Sequence, residues 1–326
     1  MNFDEERALA SVAHEAIVEM RRKRRWKIAF RIFWALYFLL FLLMMFGMKN
    51  GDRSDAAPSH RGKHIAVVAV QGMISAENEA NADDIIASLE KAFKNPQAEA
   101  VILDINSGGG SPVQSGAVYR AVKRLKAERA DLPVYAVIAD VGASGAYYIA
   151  ASADEIYADP ASIVGSIGVI SYNLGYRDLL DKLGLDPRVF TAGAHKNFLA
   201  GDKPLNPEEV AHMQSLLDNM HAQFIKAVRD GRGERLKETP EMFSGLFWTG
   251  EQALPLGLID ALGDKNTLRN AKYKDTDLVE YKPARSPLEK LLHDMGTEAS
   301  TSLRRDRKST RLNSSHRSLS RMPSSA

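Results

Sequence analysis

Three times between residues 64 and 153 a continuous apolar run gives way to a helical pattern. The runs are HIAVVAVQG (64–72), AVILDINS (100–107) and PVYAVIAD (133–140). The helical stretches after them are ADDIIASLEKAFKN (82–95), VQSGAVYRAVKRLKAE (113–128) and SGAYYIAASA (144–153). A strand with one wet face alternates apolar and polar residues, whereas a strand that is apolar at every position needs cover on both faces. The pattern therefore predicts an α/β fold, a parallel sheet with helices on either side. Further on, EIYADP, IVGSIGVIS and RVFTAG read as short strands. Residues 206–232 read as a long amphipathic helix, with Asn206 as its cap and Pro207 in first position. No internal repeat is visible, and one domain from 64 to 285, followed by an extension over 286–303, accounts for the pattern.

The two ends have a different composition. In RRKRRWKIAFRIFWALYFLLFLLMMFGMKNGDR no residue from Ile32 to Met48 is charged, and Ile28 to Phe30 lengthen the run. Arg31 sits near its end, where the stem of the side chain can reach toward headgroups. About 20 apolar residues cross a bilayer as a helix, and a secretory signal has a shorter core and a small-residue cleavage site. Residues 28–48 are therefore expected to be an uncleaved signal-anchor helix. The basic cluster Arg21 to Arg25 with Lys27 is expected to hold residues 1–27 in the cytoplasm, leaving everything after Met48 outside. Beside a span, that cluster is a topology signal, and no nucleic-acid partner is expected. Residues 49–63 read as a linker. The stretch from Arg304 to Ala326 is rich in serine and arginine, lacks apolar periodicity and resembles translated adapter sequence. It reads as a non-native or disordered tail. These basic ends account for the formal net charge of +2. With no cysteine in the chain, disulfides, thiolate metal sites and cysteine catalysis are excluded.

Candidate chemistry begins at DVGASGAYYIA (140–150), where Ser144 lies among small residues between a buried strand and a helix. Serine is a good N-cap, and a serine here is also well placed as a nucleophile beside the helix amides. The spacing is not G-x-S-x-G, so an α/β-hydrolase elbow is not indicated. A second small-residue turn, INSGGGSP (105–112), ends the preceding strand. In a parallel sheet successive strand ends lie together, so the amides of Gly109 or Gly110 are expected to face Ser144. The glycine turn fits neither the Walker nor the dinucleotide spacing, and no cofactor or metal is expected.

A serine nucleophile needs a base. Of the eight histidines only His195 lies in a promising loop, TAGAHKNFLAGDKPL, and Lys196 is its neighbour. A lysine serves as a base when desolvation brings its pKa down toward neutrality. The residue types alone leave His195 and Lys196 both open.

DINSGGGSPVQSGAVY, ADVGASGAYYIAASAD, IVGSIGVI, TAGAHKNFLAG and WTGEQALPLGLIDALGD resemble, in this order, the motifs of the signal peptide peptidase A (SppA) family over residues 62–285. The resemblance implies a ClpP/crotonase-like fold of repeated β-β-α units and a membrane-anchored serine endopeptidase with a Ser-Lys dyad. By that resemblance Ser144 is the nucleophile, Lys196 the base, and the amides of Gly109 and Gly145 the oxyanion hole. It further implies cleaved signal peptides in the bacterial inner membrane as substrates. A homo-oligomeric ring is implied too, in which one subunit's lysine completes its neighbour's site. The family has proline where this chain has Gly108, which loosens the turn before Gly109. IVGSIGVI reads either as a strand flanking the substrate groove or as a core strand. The competing functions are a crotonase-like acyl-CoA enzyme, which needs neither an essential serine nor a span, and a non-catalytic membrane scaffold.

Overall fold

The structure is a computed structural model that describes residues 26–28, 30–40, 62–274 and 276–283. The chain forms two units, residues 1–55 with 284–326, and residues 56–283. In the first unit, residues 26–28 and 30–40 are helical, and Trp34 meets Phe30, Phe33 and Tyr37 edge-on at centroid distances of 6.2, 6.3 and 5.6 Å. Among the described residues no helix is long and apolar enough to cross a membrane. Residues 41–48 of the expected span lie outside the described residues, as do residues 1–25, most of the linker and the chain from 284 onward.

The second unit carries β1 (His64–Gln71), β2 (Ala98–Ser107), β3 (Val134–Ala143), β4 (Glu155–Ala158), β5 (Ile163–Gly165), β6 (Phe247–Thr249), β7 (Ala261–Leu262) and β8 (Asp277–Glu280). Its helices are α1 (Ala82–Lys94), α2 (Pro112–Glu128), α3 (Gly145–Ala150), α4 (Arg177–Leu183), α5 (Pro207–Arg232), α6 (Gly250–Ala253) and α7 (Lys265–Tyr273). The main sheet runs β6-β5-β3-β2-β1-β8, and all its pairings are parallel except β5 with β6. A strand-strand-helix grouping occurs at β4-β5-α4, while β1, β2 and β3 are each followed directly by a helix.

Cover on both faces is visible within β2. Val101, Leu103 and Ile105 point into a core shared with α1, α2 and α3, while Ala100 and Ile102 point into a second core with Tyr135, Tyr157 and Leu268 of α7. Each of these five β2 side chains is fully buried. At roughly 1.5–3 kcal/mol per large apolar side chain, this two-sided burial is what holds the central strands. Helix α5 starts as its sequence predicts, with Asn206 Oδ1 accepting from the Glu208 amide at 2.9 Å and Pro207 in the first turn.

The sheet forks at β3. Its first half, Tyr135 to Ile138, pairs with β4, and its last three residues, Val141 to Ala143, pair with β5. On the other side, Ile105 of β2 faces Ile138 and Ser107 faces Gly142, so residues 139–141 bulge opposite Asn106 alone. The Asn106 side chain fills the gap, accepting from the Val141 amide at 3.2 Å and donating to Asp140 at 3.0 Å. Bulges bend a strand and re-aim the residues beyond the bend. Here the residue at the re-aimed end is Ser144.

Two short strands differ from their sequence reading. RVFTAG is irregular, with Phe190 92% exposed, because no neighbouring strand pairs with it among the described residues. Only Ile163–Gly165 of IVGSIGVIS is a strand, and Val164 and Ile167 are buried, which favours the core reading of that stretch.

Candidate active site

Ser144 occupies the N-cap position of α3 with φ 52° and ψ −125°, and its side chain makes no capping hydrogen bond. A side chain in this backbone region costs on the order of 1–3 kcal/mol and persists only where the surroundings hold it. They do so from both sides: the Ser144 amide donates to Gly165 O at 2.8 Å, and its carbonyl accepts from Tyr148 N at 3.0 Å. The hydroxyl is therefore not engaged as a cap, and the turn holds it at the end of the bent strand. Half-buried, it borders the glycine turn of β2.

The two turns touch through backbone. At Gly109, φ is 97°, and a Cβ would stand 2.6 Å from Gly145 N, 2.8 Å from Ser144 Cβ and 2.9 Å from Ala143 O. A Cβ on Gly145 would meet Ser115 Oγ at 2.5 Å and Gly110 N at 3.2 Å. Only glycine allows this approach. Ile74 clamps the glycine turn from behind, donating to Gly109 O at 3.0 Å and accepting from Ser111 N at 2.8 Å. The residues expected to form an oxyanion hole are thus together, but their amides differ. The Gly145 N–H has no acceptor among the described residues, whereas the Gly109 N–H donates to Ser107 Oγ at 3.1 Å. Gly108 is exposed, with open space where a Cβ would be.

Neither candidate base is hydrogen-bonded to the serine among the described residues. Lys196 is exposed in an irregular segment, its amide donating to Gly193 O at 3.1 Å, and neither a hydrogen bond nor an ion pair joins it to Ser144 among the described residues. His195, 55% exposed, has Nδ1 3.7 Å from Glu209 Oε1 instead. Sequence reasoning missed Ser107, Asn106, Ser166 and Glu209. Ser166 is the second serine with positive φ, 53°, next to the Gly165 that holds Ser144. The signal for Asn106 was a polar residue at the end of an apolar strand, while nothing local marks Ser107 or Glu209.

A family model described as "Peptidase family S49" matches residues 126–279, a range that includes Ser144 and Lys196 but not the glycine turn. The chain is 34% identical over 207 residues to the putative protease slr0021 of Synechocystis sp., covering 64% of this chain and 72% of that one. It is 29% identical over 233 residues to the putative signal peptide peptidase SppA of Enterococcus faecium, covering 68% and 67%. It is 44% identical over 212 residues to a Na(+)/H(+) antiporter NhaA of Brucella melitensis, covering 65% of this chain and only 29% of that protein's length. Among solved structures it is similar to the 1510-N membrane-bound stomatin-specific protease, with a TM-score of 0.39 and 18% identity, over 68% of this chain and 99% of that one.

Proposed function

The chain belongs to peptidase family S49, and on that premise we propose that it is a membrane-anchored serine endopeptidase that hydrolyses signal-peptide remnants with Ser144 and Lys196. The observation that carries this reading is the strained Ser144 turn, whose hydroxyl caps nothing and whose backbone packs on Gly109. A fold that needed only a cap would let that hydroxyl bond the helix amides.

In the reaction, neutral Lys196 takes the Ser144 proton as the oxygen attacks the peptide carbonyl. The C–N bond then breaks, and the ammonium of Lys196 returns the proton to the leaving amine. The Gly145 amide stabilises the oxyanion, joined by the Gly109 amide once Ser107 Oγ releases it. Water, deprotonated by Lys196, hydrolyses the acyl-enzyme and frees Ser144. The lysine comes from a neighbouring copy in a homo-oligomeric ring. Its exposure within its own chain supports this, since a lysine base needs a desolvated setting. The apolar side chains of Ile170, Tyr172, Leu179, Leu183 and Phe190, all exposed in one chain, offer the contact surface. Residues 28–48 anchor the enzyme in the bacterial inner membrane, with the peptidase domain outside.

The test is hydrolysis of an apolar peptide by the detergent-solubilised chain. Ser144→Ala and Lys196→Ala each reduce kcat by about 10⁴-fold or more, and His195→Ala retains activity. Full activity in Ser144→Ala ends the proteolytic reading, and loss in His195→Ala with full activity in Lys196→Ala transfers the base to His195. Mixing the Ser144→Ala and Lys196→Ala proteins restores activity if sites are shared between subunits, and leaves none if each chain is self-sufficient.

A further inference from the structure

Glu209 is a buried carboxylate that the reaction scheme leaves unused. It lies in the first turn of α5 and is 3% exposed, while its neighbour Glu208 faces solvent. Acidic residues are common in a first helical turn because they complement the helix dipole, and an exposed one serves that purpose. Glu209 does more. Its Oε2 accepts the Leu199 amide at 2.9 Å. Its Oε1 accepts Lys203 Nζ at 3.2 Å and lies 3.7 Å from His195 Nδ1.

These three partners bracket Lys196 on both sides. Leu199 has φ 48°, a conformation leucine rarely adopts, and its amide is the one Glu209 holds. Phe198 packs edge-on against His212, one turn further along α5, at 5.8 Å. The first turns of α5 thus hold the loop on either side of the lysine. The Leu199 amide, then Lys203 and His195, keep the Glu209 carboxyl below its ordinary range against the opposing effect of burial, so it stays ionised in this role.

We infer that Glu209 is a positioning residue for Lys196: by holding Leu199 and Lys203 it fixes the loop in one geometry, and by engaging His195 it keeps that imidazole out of the proton transfer. The inference rests on the Ser-Lys reading above. Its test uses the full chain in detergent, measuring kcat, KM and thermal unfolding for Glu209→Gln, Glu209→Asp, Lys196→Ala and the Glu209→Gln/Lys196→Ala double variant. Glu209→Gln is expected to lower kcat by about 10²-fold with KM within about twofold, the pattern of a misplaced reacting group. In the Lys196→Ala background the same change is expected to cost nothing more, because the group it positions is gone. Glu209→Asp, which keeps the charge on a shorter arm, is expected to lose kcat at an unchanged unfolding temperature, so the inference stays testable if the Gln variant folds poorly. An unchanged kcat in both Glu209 variants alongside an inactive Lys196→Ala overturns the inference and leaves the dyad standing. An equal loss in both backgrounds overturns it in favour of a purely structural role. A fully active Lys196→Ala shows instead that the dyad reading has failed, and the inference falls with it.

Discussion

Ser144 holds φ at 52° where a glycine would rest without strain. Ser144→Gly and Ser144→Ala both remove the proposed nucleophile, but only glycine relaxes the turn. The Gly variant should be more stable than the Ala variant by about 1 kcal/mol in urea unfolding, after the entropy that glycine adds to the unfolded chain. The glycines 108 and 109 offer a sharper contrast. Gly109→Ala places a methyl within 2.6–2.9 Å of the backbone at 143–145, so it should abolish peptide hydrolysis and destabilise the fold by about 2–3 kcal/mol. Gly108→Ala meets open space and should stay within about 0.5 kcal/mol of wild type. At this scale the sequence was legible wherever small residues clustered, since Gly109, Ser144 and Gly145 must be small to let two turns touch. Glu209 was not legible, because its role comes from burial under a loop ten residues away, and the letters N-P-E-E are those of any helix start.

Among the elements, the C-terminal end of α5 is fastened by a buried ion pair. Arg232, its side chain fully buried, donates to both Asp260 oxygens at 2.7 and 2.9 Å and to Gly257 O at 2.8 Å. Asp260 also accepts the Ile156 amide of β4 at 2.7 Å. Asp260→Ala leaves a buried guanidinium without its counter-charge and should destabilise by about 3–5 kcal/mol, measured by denaturant unfolding. Sequence reading recovered β4 and the start of IVGSIGVIS as short strands, but the strands it recovered at length, β1 to β3, are those buried on both faces, where every residue reports its environment. Strands β6 and β8 were not recovered. Each has only three or four residues, FWT and DLVE, with no apolar run to mark it, and each exists because an edge of the sheet was available. RVFTAG shows the converse: β-forming residues without a paired neighbour stay irregular.

For the whole domain, acid stability follows from these carboxylates. Burial pushes the Asp260 carboxyl up, but Arg232, the Ile156 amide and Arg235 outweigh it and hold the group below its ordinary 3.8. Glu209 and Glu238 are held below 4.5 by the Leu199 amide and by Arg229 respectively. Groups depressed in the folded state bind fewer protons there than in the unfolded chain, so their stabilisation is complete above the ordinary values and fades as pH falls through the folded ones. Unfolding free energy should therefore be level from neutrality to about pH 5 and decline below it, more shallowly in Asp260→Ala than in wild type. The α/β class was legible at this scale too, whereas the fork at β3 was not, because pairing partners are set by chain packing that no local pattern records. The fork has a consequence for how such a chain can change over time. The β4–β7 branch lies with the Arg232–Asp260 fastening, and the β5–β6 branch adjoins Ser144, whose amide donates to Gly165 O. Drift at 163–165 or 247–249 can reshape what the serine meets while the fold endures, and drift at 155–158 or 261–262 erodes the fold itself. One strand thus lets catalysis and durability vary on separate schedules.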